Sequence, residues 1–270
     1  GLGGDMRSAV MGRLLLAGVL ILFALFSYFG SRVYNPVTGE NQHISITEEQ
    51  EIALGLEAVP QMMQQFGGEY PDPRLQEYVD QVGFAIVNNS AAKDTTWKFE
   101  FHLLDDPETI NAFALPGGQV FITTALYGKL ETEGQLAGIL GHEIGHVVAR
   151  HGAQRMAKEQ LTQGVTGAVV VASGSQGTAQ LAQMIGQMVN MSYGREDELQ
   201  SDTLSVRFMC QAGYDPKAMV RVMEILNDSR GGEAPPEMFS THPNPENRKE
   251  KIQEAMTQYA QECSNPNLKP

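Results

Sequence analysis

His142-Glu143-Ile144-Gly145-His146 sets two imidazoles four residues apart with a carboxylate next to the first. Four helical residues advance about 400°, so the two rings leave one face a turn apart, where both can reach a single tetrahedral zinc ion. Glu143 lies roughly 100° round the same helix. From there it can take a proton from water that the metal acidifies and later deliver it to a leaving amine. A chance pentapeptide on a solvated helix is the rival explanation, and the helical wheel argues against it. Leu140, Ile144 and Val148 fall opposite the histidines while Gly138, Gly141 and Gly145 form a flank, so the helix is buried nearly all round. Two imidazoles and a carboxylate in such a place need partners, because an unsatisfied buried polar group costs several kcal/mol.

Zinc takes a third protein ligand and keeps one position open. Six residues beyond the second histidine stands Gly152, and His151, one residue short, falls about 140° round a continuous helix from His146 and reads as structural. Some twenty residues on, Val165 and its neighbours offer no carboxylate, so the ligand comes from farther along the chain. Glu196, Asp197, Glu198 and Asp202 open another helix that closes at Gly213. On its wheel Glu198 and Asp202 share a face with Val206 and Met209, whereas Glu196 falls beside Gln200 and Arg207. Glu198 is thus the inward carboxylate. Asp202, one turn on, is set to accept a ring N–H from a zinc histidine and fix its tautomer. Glu196 and Asp197 read as acids that complement the helix dipole.

Further elements must hold these two helices. Thr47 followed by Glu49 and Gln50 predicts a helix start, with Ile52, Leu56 and Val59 as its apolar stripe and Pro60 weakening the far end. Asp72-Pro73 predicts a second helix with Leu75, Tyr78, Val79, Val82 and Ile86 on one face. Trp97, Phe99, Phe101 and Leu103 alternate with Lys98, Glu100 and His102, the pattern of a half-buried strand with His102 on its solvent side. Two further β-prone pieces flank Pro116-Gly117-Gly118, so a small antiparallel sheet is expected; beyond Thr124 the chain reads as helical. Residues 161–192 read as two loosely packed helices jointed near Ser173-Gly174-Ser175, or as a mobile cover over a cleft.

At 270 residues the chain suits one compact domain with appendages, or at most two small domains. Its 19 basic against 32 acidic side chains, a net charge of −13, argue against a nucleic-acid surface, where clustered Lys and Arg are expected. Two cysteines, Cys210 and Cys263, exclude a disulfide scaffold and a Cys-based zinc finger; they read equally as one bridge or as two free thiols. Leu14 to Gly30 carries no charge and lies between Arg13 and Arg32. At the helical rise it reaches roughly 25 Å, near the lower limit for crossing a bilayer core. It reads as an uncleaved anchor, because Ser27-Tyr28-Phe29 puts bulky side chains where a signal peptidase needs small ones; a cleaved signal segment is the alternative. Arg7 and Arg13 before the run against Arg32 after it favour an amino terminus in the cytoplasm and the remainder outside.

HEIGHVVARH, YGREDELQSD and FSTHPNPENR, in that order, resemble the HtpX and CAAX-prenyl-protease family of gluzincin zinc metallopeptidases, and within it the bacterial periplasmic, membrane-assembly-associated branch. NAFALPGG is similar to that family's strand segment beside the active site, and the resemblance covers roughly residues 35–260. It implies an α+β, mainly helical, zincin-like core with a small antiparallel sheet beside the active-site helix, together with one N-terminal membrane helix. The layout would be a tail over 1–13, an anchor or signal segment over 14–30, a linker over 31–45, a metallopeptidase domain over 46–263 and a tail over 264–270.

The resemblance further implies that His142, His146 and Glu198 bind one Zn2+ per chain, with Glu143 as general base and Asp202 supporting a ligand. His242 would lie near the metal, either stabilising the tetrahedral intermediate or filling the open coordination position. Arg248, in the same motif, would pair with an active-site acid. An extended peptide would add as a strand beside Asn111, Ala112, Phe113 and Ala114. The expected partners are protein or peptide substrates and a membrane, without nucleic acid; subunit number is not fixed. The expected function is hydrolysis of misfolded or maturing envelope proteins in the bacterial periplasm. The alternative is a zinc-stabilised chaperone or assembly factor whose protease stays latent behind His242. HtpX-type members have several spans where one is visible here, so processing of prenylated proteins is not expected.

Overall fold

In the computed structural model, residues 2–173, 192–232, 236–243 and 247–270 are described. They belong to two compact units, Gly1–Thr47 with Gly152–Met188, and Glu48–His151 with Val189–Pro270.

In the first unit α1 (Leu2–Gly30) is one uninterrupted helix that begins well before Leu14. Met6–Gly30 is long and apolar enough to cross a membrane, the one such helix among the described residues. Phe26 on it is 80% exposed, with Leu15, Leu22 and Phe23 also bare, an apolar surface that lipid would cover. The segment that follows is linker-like in composition but forms a hairpin, β1 (Arg32–Asn35) pairing antiparallel with β2 (Glu40–His43). The polar residues that suggest a linker build its turn, since Asn35 Oδ1 accepts from the Val37 and Thr38 amides. His43 stacks on Tyr28 at 4.6 Å and its Nδ1 meets the Tyr28 carbonyl, which ties the hairpin to the end of α1.

The second unit holds the catalytic-type motifs. Its first helix, α2 (Glu48–Gln65), runs through Pro60, which faces solvent. Its buried face is Glu51, Gly55, Ala58 and Met62, not the expected Ile52, Leu56 and Val59. The turn at Pro116 decides this, because a Cβ on Gly55 would sit 1.9 Å from the Pro116 carbonyl oxygen. Asp72 caps α3 (Pro73–Asn89) by accepting from the Arg74 amide, and Val79, Val82 and Ile86 are buried.

β3 (Glu100–Leu104), β4 (Ala112–Ala114) and β5 (Gln119–Thr123) form a sheet in the order β3-β5-β4. β4 and β5 pair antiparallel, but β3 pairs parallel with β5, so the sheet is mixed rather than antiparallel throughout. Alternation reports which face a residue takes, not strand direction; the connection over 105–111 carries the chain across β5 to its far side. His102, expected in solvent, is buried, with Nε2 2.7 Å from Gln119 Oε1 and its ring stacked on Phe121. The Gln119 partner is what permits that burial.

Beyond the sheet the second unit has α4 (Thr124–Tyr127), α5 (Glu133–Val148), α7 (Arg195–Ala212), α8 (Ala218–Asp228), α9 (Met238–Thr241) and α10 (Arg248–Gln258), while α6 (His151–Ser173) belongs from Gly152 on to the first unit. The joint expected at Ser173-Gly174-Ser175, and the cover beyond it, lie outside the described residues. Thr132 caps α5, and every residue from Gly134 to Val148 is buried. α5 and α7 approach closely along the glycine flank. A Cβ on Gly141 would lie 2.6 Å from Ser205 Oγ, and one on Gly145 would lie 3.1 Å from the Ser201 carbonyl oxygen. Cys210 of α7 is bridged to Cys263 beyond α10. Residues 264–270, tail-like in composition, are tied down through Lys269 N to Gly213 O at 2.9 Å and Asp215 N to Lys269 O at 2.7 Å.

α5 hands over to α6 at Arg150, which adopts a left-handed φ of 58°, a conformation costing about 1–2 kcal/mol outside glycine. Its buried guanidinium donates from Nε to Glu51 Oε2 at 2.7 Å and lies 5.4 Å over the Trp97 ring. Burial pushes the Glu51 carboxyl up to about 7 even beside Arg150. A carboxyl raised above its unfolded value contributes stability at low pH and loses it as pH rises through about 7. Arg150→Met is therefore expected to cost about 3–5 kcal/mol at pH 8, where it strands a buried carboxylate, and less at pH 5. Denaturant unfolding in detergent at both pH values measures this, and an equal loss at the two would contradict the pairing.

Candidate metal centre and active site

α5 brings the Nε2 atoms of His142 and His146 to 3.0 Å from each other. Both rings are engaged from behind, His142 Nδ1 at 2.8 Å from Asp202 Oδ1 and His146 Nδ1 at 2.9 Å from His151 Nδ1. With each Nδ1 engaged from behind, both Nε2 atoms face one place, where a cation can be held between them.

The glycine flank lets α7 deliver its carboxylates to the same place. Glu198 Oε2 is 3.4 Å from His142 Nε2, and Glu198 Oε1 is 3.2 Å from His146 Nε2. His242, directly after α9, lies with Nδ1 2.9 Å from Glu198 Oε1 and Nε2 3.6 Å from Glu143 Oε1. One ligand atom from each of His142, His146, Glu198 and His242 falls within 4.8 Å of the others, and all four residues are buried. Arg248 grips Asp202 with two parallel bonds, Nε to Oδ2 at 2.7 Å and Nη2 to Oδ1 at 2.6 Å, and its Nη1 lies 3.6 Å from Glu198 Oε2. Asn244, Pro245 and Glu246, between His242 and Arg248, lie outside the described residues.

The electrostatics ask for positive charge. Glu143, Glu198 and Asp202 are three fully buried carboxylates against the single Arg248 guanidinium. Burial works against a charged His142 ring, yet Glu198 and Asp202 outweigh it and push the ring up to about 10. Burial works against Glu198 too, but His242 and His142 hold it well below the usual carboxylate range. Asp202 is held down in the same way by Arg248 and His142. Burial pushes Glu143 up and keeps His146 and His151 low. Glu198 Oε2, both Glu143 carboxylate oxygens and His242 Nε2 are buried without a hydrogen-bond partner. Such orphaned atoms, all around one set of nitrogen and oxygen donors, fit a divalent cation.

Two neighbours of the centre were given no place in it by the sequence reading. Tyr193 stacks on His146 with ring centroids 3.9 Å apart, and its amide donates to the Thr241 carbonyl, joining the approach to α7 with the helix that precedes His242. His151, read as structural from a continuous wheel, reaches His146 because the helix breaks at Arg150. On the sheet side, α5 packs against β4, the edge strand that carries Ala112, Phe113 and Ala114. Asn111 precedes it, with Oδ1 buried and without a hydrogen-bond partner. Glu196 points into solvent.

Comparison with known proteins gives a consistent result. Residues 73–256 match the family described as Peptidase family M48. The chain is 34% identical over 223 residues to the beta-barrel assembly-enhancing protease of Yersinia pestis, covering 79% of this chain and 45% of that protein. It is 31% identical over 227 residues to the protein of that name in Escherichia coli (strain K12), with the same coverage. It is 30% identical over 244 residues to the mitochondrial metalloendopeptidase OMA1 of Schizosaccharomyces pombe, covering 88% of this chain and 70% of that protein. The chain thus spans less than half the length of the two bacterial relatives.

A cation bound at this centre must stabilise the fold. At a free metal concentration a hundredfold above its dissociation constant the gain is about 2.7 kcal/mol. Chelation is expected to lower the thermal midpoint and metal to restore it; a midpoint indifferent to both would contradict the site.

Proposed function

We propose, starting from the fact that this chain belongs to peptidase family M48, that it is a zinc-dependent endopeptidase, anchored in a membrane by α1, that hydrolyses misfolded or maturing envelope proteins. The observation that carries the reading is the convergence of His142, His146, Glu198 and His242 on one place, with Glu143 beside them and both its oxygens unpartnered. His142, His146 and Glu198 would hold the metal, and Asp202, clamped by Arg248, would fix the His142 tautomer. Bound zinc supplies Lewis acidity, polarising the scissile carbonyl and acidifying water in the site.

The remaining work falls to the chain. Burial raises the basicity of Glu143, which suits a group that takes the proton of the attacking water and returns it to the departing amine nitrogen. The water oxygen ends on the carbonyl carbon, and the C–N bond breaks. The Phe113 backbone pairs with β5, so the amide and carbonyl groups of Ala112 and Ala114 point away from β5 along the edge of the sheet, Ala112 buried and Ala114 partly exposed. An extended substrate can pair there, with Asn111 to Ala114 as its docking strand.

The envelope assignment draws on the bacterial relatives, named for enhancing beta-barrel assembly, and on the Cys210–Cys263 bridge, which belongs in an oxidising compartment such as the periplasm. A second reading is favoured by His242 itself. Its Nδ1–H donates to Glu198, which leaves an Nε2 lone pair in the cluster, so the resting centre could have four donors and a latent protease attached to a chaperone or assembly role.

Glu143→Gln is expected to keep stoichiometric zinc and to lose roughly 10^2–10^4-fold in cleavage of an unfolded protein such as casein. Full residual cleavage would overturn the assignment. If Glu143→Gln complements a deletion strain as well as the unaltered chain does, the assembly role leads. His242→Ala separates the two roles of that residue, raising cleavage if it closes the site and lowering it if it stabilises the oxyanion.

A further inference from the structure

Each of the two histidines on α5 has a partner at its Nδ1, but the partners differ in kind. Behind His142 stands a charged carboxylate, Asp202. Behind His146 stands a second imidazole, His151. We infer that His151, held by Gln200, is a positioning residue that fixes the tautomer and orientation of His146 for metal binding; the inference rests on reading His142 and His146 as zinc ligands.

Proton bookkeeping along the chain of contacts carries the argument. His151 Nε2 is 2.8 Å from Gln200 Oε1, and an amide oxygen can only accept, so His151 Nε2 bears the hydrogen. A neutral ring protonated there has a lone pair on Nδ1, which faces His146 Nδ1 at 2.9 Å. His146 Nδ1 must therefore donate, and the His146 Nε2 lone pair is left for the cluster, 3.2 Å from Glu198 Oε1. Among the described residues, Ser201 Oγ also lies 3.5 Å from His151 Nδ1 and Asp197 Oδ1 3.8 Å from its Nε2. A neutral relay also suits the charge of the site, where Glu143, Glu198 and Asp202 already outnumber Arg248. A carboxylate in place of His151 would deepen that imbalance in a dry interior.

The backbone makes the contact possible. On an unbroken helix a residue five beyond His146 points elsewhere. Here α5 stops at Val148, and the left-handed Arg150 turns the chain so that α6 opens with His151 against the back of His146. The Glu51 and Trp97 contacts of Arg150 hold that turn.

The test is chelator competition for zinc on the full chain in detergent, alongside thermal unfolding of the metal-free protein. His151→Phe keeps a planar ring without an acceptor and is expected to weaken zinc binding about 10–100-fold, with little change in the metal-free midpoint. His151→Asn, whose amide oxygen can accept from His146, is expected to recover part of that loss. Unchanged affinity in His151→Phe overturns the inference, as does failure of Asn to recover any. If His151→Phe does not fold, Gln200→Met decides: weakened zinc binding supports the relay, and unchanged binding overturns it. His142→Ala is the control. Loss of zinc in His142→Ala but not in His151→Phe sinks only the relay, whereas full zinc affinity in His142→Ala sinks the ligand assignment itself.

Discussion

The close approach of α5 and α7 is the constraint on which everything else depends. The histidines come from one helix and Glu198 and Asp202 from the other, so donor distances near 3 Å require the backbones to sit nearer than ordinary side chains allow. Gly141 and Gly145 remove those side chains, and Ser201 and Ser205 occupy the space with small polar groups, Ser205 Oγ donating to the Gly138 carbonyl at 3.1 Å. An alanine at Gly141 would meet the Ser205 hydroxyl, which would have to turn and give up its bond to Gly138, while one at Gly145 would have its Cβ 3.1 Å from the Ser201 carbonyl oxygen, so the facing backbone would have to shift. In a packed interior such a shift is not absorbed locally.

That proximity has an electrostatic consequence. It gathers three carboxylates where water cannot screen them, and Arg248 answers only part of their charge. A protein can afford this when another positive charge is regularly present, which is the physical content of calling the place a metal centre. The partners behind the two imidazoles then make sense as a pair, Asp202 adding charge where Arg248 compensates it and His151 adding none.

The two motif-bearing helices were legible in the chain because helical periodicity is strong in long buried segments. The wheel turns Glu198 and Asp202 inward and Glu196 outward, and the structure buries the first two and exposes the third. What was not legible depended on contacts distant in sequence. The buried face of α2 is set by the Pro116 carbonyl, the parallel pairing of β3 by the path of 105–111, and the burial of His102 by Gln119. His151 was read as structural, but its contact with His146 was not legible, since a wheel assumes an unbroken helix and the break at Arg150 is held by Glu51, about a hundred residues earlier. The Cys210–Cys263 bridge and the hairpin over residues 32–43 likewise follow from spatial proximity that composition does not encode.

On the proposed function, zinc would be held where His142, His146 and Glu198 meet, with His242 at the margin. Zinc K-edge X-ray absorption on the purified protein tests it most directly. The account predicts a shell of nitrogen and oxygen only, at about 2.0–2.2 Å, with the scattering pattern of two or three imidazoles. Sulfur scattering at about 2.3 Å, or a shell of water oxygens without imidazole, would contradict it.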